Sequence, residues 1–88
     1  MTGIVGETSK NRVKRLKMRS MRRGIKEMDI ILTAFADANL ARMEDDTLSQ
    51  YDALLNENDQ DLYQWVTGQV PAPARFDDLV ADIRQALQ

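Results

Sequence analysis

The chain contains neither cysteine nor histidine. Without cysteine there is no disulfide framework and no thiolate chemistry, a composition that fits a reducing compartment. Without histidine the commonest general base and the commonest metal ligand are both missing. Together the two absences exclude nucleophilic triads of the Ser-His or Cys-His type and the usual zinc sites. No apolar run approaches the roughly 20 residues that span a bilayer, and no apolar segment of signal-peptide type follows the first residues. There is no glycine-rich phosphate loop. The acidic run 56–61 has the carboxylate density of a calcium loop but lacks its turn glycine and its terminal bidentate glutamate. An 88-residue helical chain also offers little room for a deep pocket of the usual ~300 Å³ or more.

The charge is unevenly placed. Residues 1–27 carry nine basic groups against Glu7 and Glu27, a charge of +7. The remainder holds only Arg42, Arg75 and Arg84 against twelve acids, a charge of −9. Such asymmetry points to a charged partner or a dedicated surface. Four readings of the basic run stay open on these residues. They are a solvated helix offsetting the acidic body, a nucleic-acid contact, a membrane-surface helix, and a dock for an acidic protein. Its basic, acid-poor composition is superficially that of a mitochondrial presequence. That reading is set aside here, because removing the run would leave the following helix without a neighbour.

Periodicity predicts helices throughout. Residues 1–8 hold two glycines and read as a flexible tail, and 9–88 as one domain. Ser9 is the expected cap of a helix over 10–22, with Val13, Leu16, Met18 and Met21 as a ragged apolar face. Gly24 should close that helix with a positive φ, leaving Arg22 and Arg23 in its last turn. Residues 25–39 carry the clearest repeat: Met28, Ile31, Leu32 and Phe35 fall at i, i+3, i+4 and i+7, and Ile25 and Ile30 widen the stripe. This is the expected central helix, with Glu27 and Asp29 in its first turn. Asp45 or Asp46, or the pair Thr47 and Gln50, can cap a third helix presenting Leu48, Tyr51, Leu54 and Leu55. Asn58 or Asp59 starts a fourth, with Leu62, Trp65 and Val66 inside and Gly68 at its end. After Pro71-Ala72-Pro73, Phe76, Leu79, Val80, Ile83 and Leu87 predict a fifth. The expected fold is all-α, a small bundle of about five short helices in a single domain. Met28 and Trp65 read as core residues.

The junction Arg22-Arg23-Gly24-Ile25-Lys26-Glu27-Met28-Asp29 is where helix and charge both change. Arg23, Gly24 and Glu27 can simply stop one helix and start the next. Alternatively, Gly24 lets a partner's backbone approach while Arg23 and Glu27 hold it by charge-assisted hydrogen bonds.

That stretch, continued through Ile30-Ile31-Leu32 and Phe35-Ala36-Asp37, resembles the Arg-Gly-x-x-Glu region of the SdhE-type FAD assembly factors. Asp61-Leu62-Tyr63-Gln64-Trp65 is similar to the Asp-Leu-(Phe/Tyr)-x-Trp segment of the same family. The resemblance spans roughly residues 12–87. It departs where Asp59-Gln60 replaces an Asp-Pro turn, and where 16–21 lacks an aromatic. The resemblance implies a chaperone-like assembly factor, not an enzyme. Such a factor binds the flavoprotein subunit of succinate dehydrogenase or fumarate reductase and promotes its covalent attachment of FAD. It implies partner-binding roles for Arg23, Gly24 and Glu27, with Arg22 and Asp29 flanking. It also implies no catalytic or metal residue and no FAD stably bound by this chain. A partner histidine would attack the flavin 8α-methyl carbon, with negative charge developing on the isoalloxazine ring. No nucleic acid, no membrane, a monomeric state and a bacterial cytoplasmic setting are the accompanying expectations. The alternative is a small nucleic-acid-binding or regulatory protein that uses the basic helix.

Overall fold

The computed structural model describes residues 8–87. The expected tail over 1–8 therefore lies outside the described residues, Thr8 excepted. Five α-helices follow one another: α1 (Ser9–Arg19), α2 (Lys26–Asn39), α3 (Asp45–Leu54), α4 (Asp59–Val66) and α5 (Asp77–Ala86). Short 3-10 turns occupy Leu40–Arg42 and Ala74–Phe76, and the described residues contain no strand. The all-α bundle is the architecture that the periodicity predicts.

α2 is the central element and touches α1, α4 and α5. Met28, Leu32, Phe35 and Ala36 are its buried residues. They fall at i, i+4, i+7 and i+8, one face of a helix. Ile31 is half-buried against the core, and Ile30 points away from it, 61% exposed. The widened stripe is thus narrower than expected, because Ile30 lies about 200° round the helix from Met28. Around α2 pack Leu48, Tyr51, Leu54 and Leu55 of the third helix region, Leu62, Trp65 and Val66, and Phe76, Leu79, Val80 and Ile83. Leu87, expected to complete the last face, is instead exposed. Trp65 meets Phe76 with ring centroids 6.2 Å apart, and Phe35 meets Tyr51 at 5.9 Å, so both pairs lie within ring-contact range.

The helix ends differ from the expected caps in instructive ways. Thr8, not Ser9, caps α1, its hydroxyl accepting from the Asn11 N–H at 3.2 Å. Neither Asp45, Asp46 nor Thr47 caps α3; Glu44 holds the cap position without a side-chain bond. Gln50 instead donates to the Arg75 carbonyl at 2.7 Å. Asn58 caps α4 by accepting from the Gln60 N–H at 2.8 Å, and Gly68 ends it with φ of +82°. That is the left-handed geometry glycine adopts without a Cβ clash.

α1 stops at Arg19, three residues short of the expected end. At that end stands Ser20, fully buried, whose hydroxyl donates back to the Leu16 carbonyl at 2.8 Å. Such back-bonding competes with continuation of the helix. The Ser20 hydroxyl also lies 2.6 Å from the Tyr51 hydroxyl, tying the end of α1 to α3. Burial pushes the Tyr51 phenol up to about 12, outweighing the Ser20 bond and the positive charges of Arg23 and Arg19, which lower it. The folded state therefore favours the protonated phenol. Its stabilising contribution is complete below the ordinary value of 10 and is lost as pH rises from there through about 12. Urea midpoints measured up to that pH should show a loss on the order of 2 kcal/mol. Tyr51→Phe should lower stability near neutral pH yet flatten this alkaline slope. An unchanged slope would place its cause elsewhere.

Candidate partner-binding corner

The chain between α1 and α2 turns through Ser20, Met21, Arg22, Arg23, Gly24 and Ile25. Its left-handed residue is Arg22, with φ of +56°, and not Gly24 as the sequence predicts. Because α1 ends early, its last turn carries Lys17 and Arg19, and Arg22 and Arg23 lie beyond it. Gly24 matters for a different reason. Its N–H donates to Asp59 Oδ2, and a Cβ built on it would lie 3.2 Å from that oxygen. Close approach, not a positive φ, makes the position suited to glycine.

Arg23 is directed into the molecule, against the expectation that it faces outward. Its side chain is 12% exposed and that of Asp59 15%. Nε donates to Asp59 Oδ1 at 2.8 Å, and Nη2 lies 2.7 Å from the same oxygen. The same guanidinium reaches the carbonyls of Leu55 at 3.1 Å, Arg19 at 3.3 Å and Glu57 at 3.4 Å. Those carbonyls belong to the end of α1, the end of α3 and the α3–α4 connection. They are groups that no helical partner satisfies, and arginine's fork can serve several at once. Asp59 sits in the first turn of α4, where a carboxylate is already favoured by the helix dipole. One of its oxygens receives Arg23 and the other receives the Gly24 N–H. The pair therefore fixes the corner and joins four elements.

The remaining expected site residues lie on the outside. Glu27 is exposed in the first turn of α2, and its side chain makes no hydrogen bond or ion pair with a described residue. Gly24 and Arg22 are exposed as well. Asp29 is half-buried and accepts from the Thr33 hydroxyl at 3.3 Å. The structure thus brings Arg22, Gly24 and Glu27 to the surface around one turn, with Arg23 beneath them. Asp59, which anchors the turn, was read from sequence only as a helix start. Its separation of 36 residues from Arg23 gives no local signal.

The basic run divides in two. Arg19 and Arg15 pair with Asp52, Lys17 approaches Asp37 at 3.9 Å, and Arg12 donates to the Ser49 hydroxyl at 2.6 Å. These groups, with Arg23, fasten α1 to the acidic body. Lys10, Lys14, Arg22 and Lys26 make no such bond within the described residues. Four of the nine basic groups, Arg15, Lys17, Arg19 and Arg23, thus face carboxylates within the molecule. A hollow of about 540 Å³ lined by Phe35, Asn39, Met43 and Asp82 opens to solvent between α2 and α5, away from the corner.

Comparison with known proteins adds a family. A family model described as "Sdh5: Flavinator of succinate dehydrogenase" matches residues 14–87. Three relatives carry the name "Succinate dehydrogenase assembly factor 2, mitochondrial". The one from Meyerozyma guilliermondii is 40% identical over 86 residues, covering 94% of this chain and 62% of its own. That from Candida glabrata is 41% identical over 75 residues, covering 82% and 49%. That from Aspergillus terreus is 44% identical over 66 residues, covering 75% and 22%. The chain thus spans from about a fifth to three fifths of these relatives' lengths. The expected bacterial cytoplasmic setting is corrected: the relatives are fungal and named as mitochondrial. The presequence-like composition that was set aside belongs in part to α1, which packs through Leu16. Charge composition cannot separate a basic structural helix from an address signal.

Arg23→Ala and Asp59→Ala should each cost about 2–4 kcal/mol, since each leaves a largely buried charge unpaired. The double substitution should cost far less than their sum. Additive losses in urea unfolding would show that the two side chains do not act as a unit.

Proposed function

We propose a function from the premise that the chain belongs to the Sdh5 family, the flavinators of succinate dehydrogenase: it binds the flavoprotein subunit of that enzyme and promotes covalent attachment of FAD to it. The observation that carries this reading is the family match over residues 14–87, which includes the whole corner. On this reading the chain acts in the mitochondrion, as the names of its relatives indicate for them.

The chain's own composition fits an assisting role. With neither histidine nor cysteine, it offers no usual anchor for covalent flavin, so the nucleophile belongs to the partner. Assistance then means binding the incompletely assembled subunit and raising the population of the conformer in which its nucleophile and the flavin are aligned. The differential affinity for that conformer sets the size of the effect. Glu27 accepts a hydrogen bond from a donor on the subunit, and Gly24 leaves room for its backbone. Arg23 acts from beneath, by holding the turn on which both are carried.

Covalent flavin fluorescence of the denatured subunit, produced with and without this chain, tests the proposal. Incorporation should rise markedly with the chain present, and equal incorporation would contradict it. Glu27→Ala should leave unfolding within about 0.5 kcal/mol of the parent, as for a surface residue without partners. It should weaken the complex by about 1–3 kcal/mol. A parental affinity would remove Glu27 from the contact.

A further inference from the structure

Arg22 occupies an unfavourable place. Its φ of +56° lies in the left-handed region, where glycine, asparagine and aspartate are tolerated and a long side chain is uncommon. Exposed helix ends usually meet this demand with glycine. Here glycine stands two positions later and does not use a positive φ. The Arg22 side chain has no internal contact to offset its backbone: it is exposed and makes no hydrogen bond, ion pair or ring contact with any described residue. Strain kept at a surface turn, with the side chain unused by the fold, points to use by something outside it.

The surroundings state the chemistry of that partner. Met21 precedes Arg22 and is 46% exposed, and Met18, one turn earlier, is 65% exposed. The Met21 N–H donates to the Met18 carbonyl, which keeps the two side chains on one turn. Lys14 lines the same shallow hollow as Met18, Lys26 follows Arg22 by four residues, and neither lysine is paired with a described residue. Methionine adapts to an irregular apolar surface, and arginine pairs with a carboxylate through two parallel hydrogen bonds.

We propose that Arg22, flanked by Met18 and Met21, is the arginine that contacts the partner, and that it pairs with a carboxylate on an acidic, partly apolar face of the flavoprotein subunit. This rests on the functional reading above and refines it. Arg23 shapes the corner, whereas Arg22 reaches across it. Lys14 and Lys26 supply long-range attraction toward the same acidic face and accelerate encounter.

The test pairs stability with affinity, using the full chain and the purified flavoprotein subunit. Arg22→Asn suits the left-handed backbone and removes the charge, and Arg22→Gly serves as a second relief of the backbone. Each should leave Tm unchanged or raise it by a few degrees, while Kd for the subunit rises about tenfold or more. Arg22→Lys should keep part of the affinity, and the wild-type complex should weaken with salt more steeply than the Arg22→Asn complex. Parental affinity in both relieved variants overturns the proposal, as does a lowered Tm in both, which would assign the side chain to the fold. Binding of the wild type to vesicles of phosphatidylcholine doped with phosphatidylglycerol, lost in Arg22→Asn, would reassign the strip to a lipid surface and likewise overturn it. If the wild type does not bind the subunit at all, the functional reading falls first.

Discussion

The ion pair between Arg23 and Asp59 is the constraint on which the rest of the corner depends. A largely buried guanidinium needs several acceptors, and here it has one carboxylate oxygen and three carbonyls from the ends of α1 and α3 and from the loop before α4. The second carboxylate oxygen takes the Gly24 N–H. A bundle of short helices has many unsatisfied ends relative to its core. Gathering several of them at one arginine gives the turn a defined shape without lengthening any helix. The Ser20–Tyr51 bond performs a related task one turn earlier, closing α1 on α3.

This arrangement separates two roles that the motif Arg23-Gly24-Ile25-Lys26-Glu27 merges in sequence. Arg23 works inward. Glu27 and Arg22 face solvent, and Gly24 lies between with its N–H already engaged. The docking geometry proposed for the flavoprotein subunit is thus built before any partner arrives. A preformed surface loses little ordering entropy on binding.

Helix number, the central position of α2 and most of the core were legible in the sequence, because apolar spacing reports directly which face is buried. Leu62, Trp65 and Val66, or Leu79, Val80 and Ile83, could hardly be placed otherwise. The family was legible too, from two short segments, and the match over 14–87 bears that out. Ends and orientations were not. The bond that ties the end of α1 to α3 depends on Tyr51, 31 residues away from Ser20. The direction of Arg23 depends on Asp59, whose place in a helix's first turn had a sufficient local explanation. Glycine adopts the left-handed conformation most readily, so the sequence points to Gly24, yet the chain places it at Arg22. The compartment is not legible in this way, because it is not a property of folding physics.

The central claim is that the corner is preformed, held by Asp59 from beneath while its outer side chains stay free. Amide hydrogen exchange at Gly24 in the isolated protein tests it most directly. Gly24 is exposed, so an unbonded N–H there would exchange at the rate of an open chain. The account predicts strong protection of this one surface amide, lost in Asp59→Ala under conditions where the core amides of α2 remain protected. Rapid exchange at Gly24 in the wild type would contradict it.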